Sequence, residues 1–126
     1  MLTSQQSERL REGIALFNRG EFFECHEVLE AVWLEVSGDQ KTSLQGLIQV
    51  AVAFYHLRRG NFIGSSRLLQ AGLEKLSQGA APSEIADLAG LLQTLAPLPD
   101  DMLAGKISPN WPAPIIRWQA SRPPSG

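Results

Sequence analysis

The chain has one cysteine, Cys25, and two histidines, His26 and His56. A single thiol cannot close an internal disulfide, and so few soft ligands cannot make an ordinary cysteine-rich structural zinc site. Long hydrophobic runs are also missing. The longest stretch of aliphatic residues and phenylalanine spans residues 50–54, far short of the roughly 20 residues a membrane span needs. Neither sign of charge dominates, because 11 Lys and Arg face 13 Asp and Glu for a formal charge of -2. No global field then gathers the chain onto nucleic acid or an anionic membrane, and neither is expected as a partner. The opening stretch MLTSQQSERL has no basic segment followed by an apolar one, so no secretory signal is visible. The expectation is a soluble protein of the reducing cytoplasm. Its remaining partners are small molecules, another protein or a second copy of the chain.

What is present is core-forming material. Apolar residues fill 44% of 126 positions, enough for one domain and too few for two. Leu10, Ile14 and Phe17 recur at the spacing of one helix face, which predicts a helix over about 5–19 closed by Gly20. A second, over about 21–37, carries Phe22, Leu29, Val32, Trp33 and Val36 on its apolar side and is followed by Gly38. The two should form a tight antiparallel hairpin. A third helix, about 41–59, is apolar almost all round, as expected of a central element covered on several sides. Gly60 and Asn61 break it, and a fourth follows over about 62–77 with Leu68, Leu69, Leu73 and Leu76 facing inward. A shorter fifth helix is expected from Ser83, an N-cap residue type preceded by Pro82, to Pro97.

Beyond Pro99, five more prolines are interleaved with Trp111, Ile115, Ile116 and Trp118. A wholly disordered tail seldom carries so many large apolar groups. The expected fold is therefore all-α. It is a compact bundle of two antiparallel helical hairpins plus a fifth helix, forming one domain over 1–105, with a proline-rich strap or tail over 106–126 whose last residues are loose. Exposed Trp111 or Trp118 would mark a dimer or partner interface, whereas burial against the third helix would mark an intramolecular strap.

Sliding the chain by 40 residues lays FNRGEFFECHEVLEA (17–31) over LRRGNFIGSSRLLQA (57–71), and Arg, Gly, Phe, Leu and Ala coincide. This suggests a duplicated helix-turn-helix unit, although any two helical hairpins resemble each other around a glycine turn. The comparison also localises the chemistry. Ser66, Arg67 and Gln70 stand where the first unit has His26, Glu27 and Glu30, so the ionisable cluster belongs to the first hairpin alone.

His26 and Glu30 are four residues apart and thus about 40° apart around a helix, one turn above the other. They flank the apolar line of Phe22, Leu29 and Trp33, while Glu24 and Glu27 project toward solvent. Glu30 is expected to be partly buried. On the third helix Gln45, Gln49 and His56 share a stripe beside Tyr55. Antiparallel packing of helices two and three would gather His26, Glu30, Gln49 and His56 in one polar pocket, walled by Trp33 and Tyr55. A buried unpaired carboxylate costs several kcal/mol or takes up a proton, so Glu30 would need partners.

Three readings follow: a hydrogen-bonded network that fixes helix register, a small-molecule pocket, or a metal or catalytic site. For the last, His26, Glu30 and His56 would supply three ligands to a divalent metal, with Glu27 as general base of a metal-dependent hydrolase. The spacing lacks both H-E-x-x-H and the E-x-x-H of di-iron bundles. A nucleophilic Cys25 would need His56 as its base, since Cys25 and His26 point about 100° apart, and a small buried apolar residue is the simpler reading. Arg58 and Arg59 in HLRRGN could hold a phosphate, or be solvated and satisfy helix-end carbonyls.

The stretches FNRGEFFECHEVLEAVW (17–33), QGLIQVAVAFYHLRRGN (45–61) and LLQAGLEKL (68–76) resemble the bacterial and archaeal domain of unknown function number 309, over about residues 8–77. The resemblance implies a compact all-α bundle and draws attention to His26, Glu27, Glu30, Trp33, Gln45, Gly46, Gln49, Gly60 and Asn61. It implies no established activity, and the chain from about residue 79 lies outside it. The functional expectation is a ligand- or partner-binding helical domain with a polar cluster in or near its core. The alternative is the metal-dependent hydrolase, the only reading that calls for a cofactor.

Overall fold

Thr3 starts the first helix, α1 (Ser4–Asn18), by a reciprocal exchange with Gln6. The Thr3 hydroxyl accepts the Gln6 N–H at 3.1 Å, and Gln6 Oε1 accepts the Thr3 N–H at 3.0 Å. Gly20 ends the first arm with φ 80, and α2 (Phe22–Trp33) returns antiparallel. The long α3 (Gly38–Arg58) packs on both α2 and α4 (Phe62–Gln78), which makes it the central element. The remaining elements are β1 (Ile85–Ala86), α5 (Leu88–Leu95), α6 (Leu98–Leu103) and β2 (Arg117–Trp118). This computed structural model describes residues 1–78 and 81–119. Among them the fold is an all-α bundle of two hairpins with a two-residue antiparallel ladder at its edge. No helix among the described residues is long and apolar enough to cross a membrane.

The two hairpin turns are built alike. Gly20 and Gly60 have φ 80 and 77, a left-handed conformation that glycine adopts without steric cost. At each turn one N–H reaches back five residues, Glu21 to Leu16 and Asn61 to His56, both at 2.9 Å. Another reaches back three, Gly20 to Phe17 and Gly60 to Leu57, again both at 2.9 Å. Inside, Phe17, Phe22 and Phe54 meet with ring centroids 5.1 to 5.8 Å apart.

Three boundaries differ from the sequence expectation. Helix α2 stops at Trp33, short of Ser37, and α3 begins at Gly38. The fifth helix does not start at Ser83, because Ile85 and Ala86 are extended and pair with Trp118 and Arg117. It starts at Leu88, capped by Asp87, whose Oδ1 accepts the Gly90 N–H at 3.1 Å from a left-handed backbone of φ 54. A sixth helix follows Pro97 and carries Pro99 in its first turn, where a missing N–H costs nothing. It is tied to α4 by the buried serines. Ser66 Oγ donates to the Pro99 carbonyl at 2.8 Å, and Ser65 Oγ, which donates to the Ala53 carbonyl at 2.7 Å, lies 3.3 Å from the Met102 sulfur.

Residues 107–119 cross the bundle on the side of α1 and α3. Ile107 and Ile116 are buried, and Trp111 stacks on Phe54 at 6.3 Å. Asn18 holds both backbone groups of Ile116, donating to its carbonyl at 2.9 Å and accepting its N–H at 2.8 Å. Arg58 Nη1 donates to the Pro109 carbonyl at 2.9 Å. Trp118 is half-buried, with the Arg11 guanidinium 6.0 Å above its ring. The looseness expected of the chain end falls on residues 120–126, outside the described residues.

Candidate functional site

Helix α2 brings His26 and Glu30 together, with His26 Nε2 3.2 Å from Glu30 Oε2 and Nδ1 3.2 Å from the Phe23 carbonyl. Both neighbours are acceptors, so only the doubly protonated ring donates to both. Glu30, expected to be partly buried, keeps half of its side chain exposed. It follows Leu29, which faces the core, and therefore points about 100° away from that direction. A carboxylate this exposed does not need buried partners. Glu27 is likewise exposed.

On α3 the other members of the expected pocket take different directions. Tyr55 faces α2, with its ring 5.7 Å from Phe23. The next residue, His56, turns away by about 100°; its Nδ1 lies 3.5 Å from Asn61 Nδ2, at the start of α4. Gln45 and Gln49 share that second direction and are half-buried. Gln49 Oε1 and Trp33 Nε1 are buried atoms without a hydrogen-bond partner. The Trp33 ring carries Lys41 Nζ 4.2 Å above it, a contact the sequence did not suggest. No three His, Cys, Asp or Glu side chains among the described residues are placed to hold a metal ion. His26, Glu30 and His56 are thus a pair and a separate residue, not a ligand set.

Cys25 is in the core, at 1% exposure. Burial pushes its thiol up to about 12, outweighing the opposing hydrogen bond with the Phe17 backbone. The thiolate is the nucleophile, so this cysteine is inert in the folded protein. Iodoacetamide at about pH 8 should leave Cys25 unmodified in the native chain and label it within minutes in urea. Native labelling at the unfolded rate would contradict the assignment. The sign with pH also follows. The unfolded thiol ionises near 9.0 and the folded one near 12, so its contribution to stability is present below pH 9 and is lost as pH rises through that window.

The concave feature nearest the ionisable residues lies where α2 starts and α3 ends. It is a cleft of about 320 Å³ lined by Gly20, Glu21, Phe22, Phe23, Glu24, Tyr55, Arg58 and Arg59. Phe22 points into the core, whereas Phe23 leaves 47% of its surface exposed. The Phe23 ring lies 5.4 Å from His26, which links the cleft to the His26–Glu30 pair. Both arginines lie over rings: Arg58 is 5.3 Å from the Phe22 centroid and Arg59 is 5.5 Å from that of Tyr55. Sequence reasoning singled out Tyr55 but missed Phe23, because two adjacent phenylalanines on a helix give no sign of which one the next helix covers.

Residues 10–68 match the family described as Domain of unknown function (DUF309). The chain is 48% identical over 50 residues to "Uncharacterized protein YpuF" of Bacillus subtilis (strain 168), a match spanning 39% of this chain and 29% of that protein. It is 37% identical over 59 residues to an "Uncharacterized protein" of Aquifex aeolicus (strain VF5), spanning 46% of this chain and 18% of that one. The matched stretch is thus less than a third of the length of either relative. No solved structure matches the chain.

Proposed function

We propose that this chain, with its DUF309 match at residues 10–68, is a ligand-binding helical domain that uses the cleft between the start of α2 and the end of α3. One observation supports the reading above others. Phe23 is 47% exposed, and its ring sits 5.4 Å from His26 and 5.7 Å from Tyr55 at the edge of a cleft of about 320 Å³. A lone exposed apolar residue needs no explanation. Three rings beside a concavity, tilted 46° and 55° where Phe23 meets Tyr55 and His26, are different, because together they offer apolar ring surface with polar groups at its margin. The volume is at the small end of the range for small-molecule sites. The hydrolase reading lacks the convergent ligands it requires.

The rest of the chain fits this role. A helical domain over 1–105 carries the cleft, and the described part of the strap, residues 107–119, braces it through the Pro109 carbonyl at Arg58. The matched turns at Gly20 and Gly60 support a duplicated hairpin whose second copy has lost the site. There Ile63 replaces Phe23, and Ser66, bonded to Pro99, replaces His26. A lone buried thiol suits a reducing cytoplasm.

The test is an NMR titration of the full chain with ring-containing fragments, comparing wild type with Phe23→Ala. Binding fragments should shift residues 20–24 and Tyr55, and Phe23→Ala should weaken them about tenfold, equivalent to ~1.4 kcal/mol. Because Phe23 is half in water, the variant should keep its melting temperature. Fragments that bind Phe23→Ala unchanged would sink the proposal. So would fragments that settle only in the larger hollow of about 620 Å³ beside Asp87, Leu91, Thr94, Ile115 and Arg117.

A further inference from the structure

We propose that the cleft holds the phosphoryl group of a small ring-bearing phosphate monoester, with Arg58 and Arg59 as its receptors and Phe23 beside the ring; this rests on the binding reading above. The argument begins with two cations that have no anions. Among the described residues the ion pairs are Arg9–Glu35, Arg19–Glu21 and His26–Glu30, none of which uses Arg58 or Arg59. Two carboxylates line the same cleft. Glu21 is committed to Arg19 at 2.9 Å, and Glu24 is not within ion-pair distance of either guanidinium. With Arg19 neutralising Glu21, Glu24 alone faces Arg58 and Arg59 across the cleft, in a chain whose formal charge is -2.

The ordinary explanation for arginines at a helix end is that they satisfy its last carbonyls. Backbone groups already do so for the His56 and Leu57 carbonyls. The Arg59 and Asn61 N–H groups donate to the His56 carbonyl at 3.1 and 2.9 Å, and the Gly60 N–H donates to that of Leu57 at 2.9 Å. The side chains are left for something else. Stacking on Phe22 and Tyr55 fixes each guanidinium without using its N–H groups. Arg58 gives one bond, to the Pro109 carbonyl, out of a donor set of five. It is also partly withdrawn from water, which lowers its pKa. A partly desolvated cation gains most from an anion brought to it.

Two positioned guanidiniums suit a dianion with several acceptor oxygens better than a single carboxylate. The exposed Phe23 ring at the same cleft then supplies a surface for the body of the ligand. The cleft, at about 320 Å³, has room for one small molecule rather than a polymer.

The experiment titrates phenyl phosphate, inorganic phosphate, benzoate and benzyl alcohol into the full chain at constant ionic strength, followed by backbone and arginine Nε NMR signals. Phenyl phosphate should saturate, moving Arg58, Arg59 and Phe23 together. Inorganic phosphate should move the arginines more weakly, and benzyl alcohol should bind at least about tenfold less tightly than phenyl phosphate. Arg59→Gln, at an exposed position, should weaken phenyl phosphate about tenfold with the fold intact, and Arg59→Lys should recover part of the loss. Benzoate binding as tightly as phenyl phosphate would overturn the preference for a dianion. If benzyl alcohol binds as well as phenyl phosphate and Arg59→Gln changes nothing, the phosphate inference fails while the ring-binding cleft survives. If no probe moves residues 20–24, both fail.

Discussion

Phe54→Ala should destabilise the protein by about 3–5 kcal/mol, the largest loss expected from any single truncation in this core. Phe54 is fully buried on the central helix α3 and is touched from three sides. Phe17 meets it edge-on at 5.8 Å, Phe22 stacks at 5.6 Å, and Trp111 of the strap stacks at 6.3 Å. Truncation removes the transfer energy of the ring and opens a cavity. It also breaks three aromatic contacts, each worth roughly 0.5–1.5 kcal/mol beyond area burial. A domain of this size has about 5–15 kcal/mol of stability in total, so the urea midpoint should fall steeply. A loss below about 1 kcal/mol would mean the ring does not sit at this junction.

The same variant should loosen the strap. With its apolar platform gone, Trp111 loses its stacking partner, and the Ile116 N–H, now held at 2.8 Å by Asn18 Oδ1, should exchange faster than the α1 amides. A double-mutant cycle between Phe54→Ala and Trp111→Ala should show coupling of about 0.5–3 kcal/mol, since the two residues are in contact.

The hairpins were legible because their signals are local. The turn glycines, the period of Leu10, Ile14 and Phe17, and the all-round apolar α3 each act within a few residues of themselves. The start of α5 was not legible, because Ile85 is drawn into an extended pair by Trp118, far along the chain. No local propensity encodes that pairing. Glu30 was misplaced for a similar reason. Its stripe borders the core on α2, but whether α3 covers it depends on the register between the two helices. That register puts Tyr55 against Phe23 and leaves the carboxylate in water. For Arg58 and Arg59 the sequence left two readings open, and the backbone bonds that close the turn at Gly60 bear only on the helix-end carbonyls, since they already occupy those of His56 and Leu57.

Gly72→Val should destabilise by about 3 kcal/mol or more, although replacing a helical glycine usually helps. In an exposed helix interior, glycine is roughly 1 kcal/mol worse than alanine, and propensity alone would make Gly72 a weak point of α4. Packing reverses the sign. A Cβ at residue 72 would lie 2.8 Å from the Gly46 carbonyl oxygen, 3.0 Å from Val50 Cγ2 and 3.2 Å from the Val50 nitrogen. Two of those three atoms belong to the α3 backbone, which cannot rotate aside. Gly46 presents the reciprocal contact, with the Gly72 carbonyl oxygen 3.0 Å from its own notional Cβ. The two glycines therefore let α3 and α4 approach backbone to backbone, and a branched side chain must push the helices apart. Urea denaturation checks the magnitude, and a rise in stability would show that no such close approach exists. The substitution also reports on function. Because α3 carries Tyr55, Arg58 and Arg59, a displaced α3 moves half of the cleft relative to Phe23 on α2. At urea concentrations where Gly72→Val is still folded, its affinity for phenyl phosphate should fall, while Gly13→Ala, which crowds the Leu29 side chain at the α1–α2 contact, should leave the α3 half of the cleft where it is.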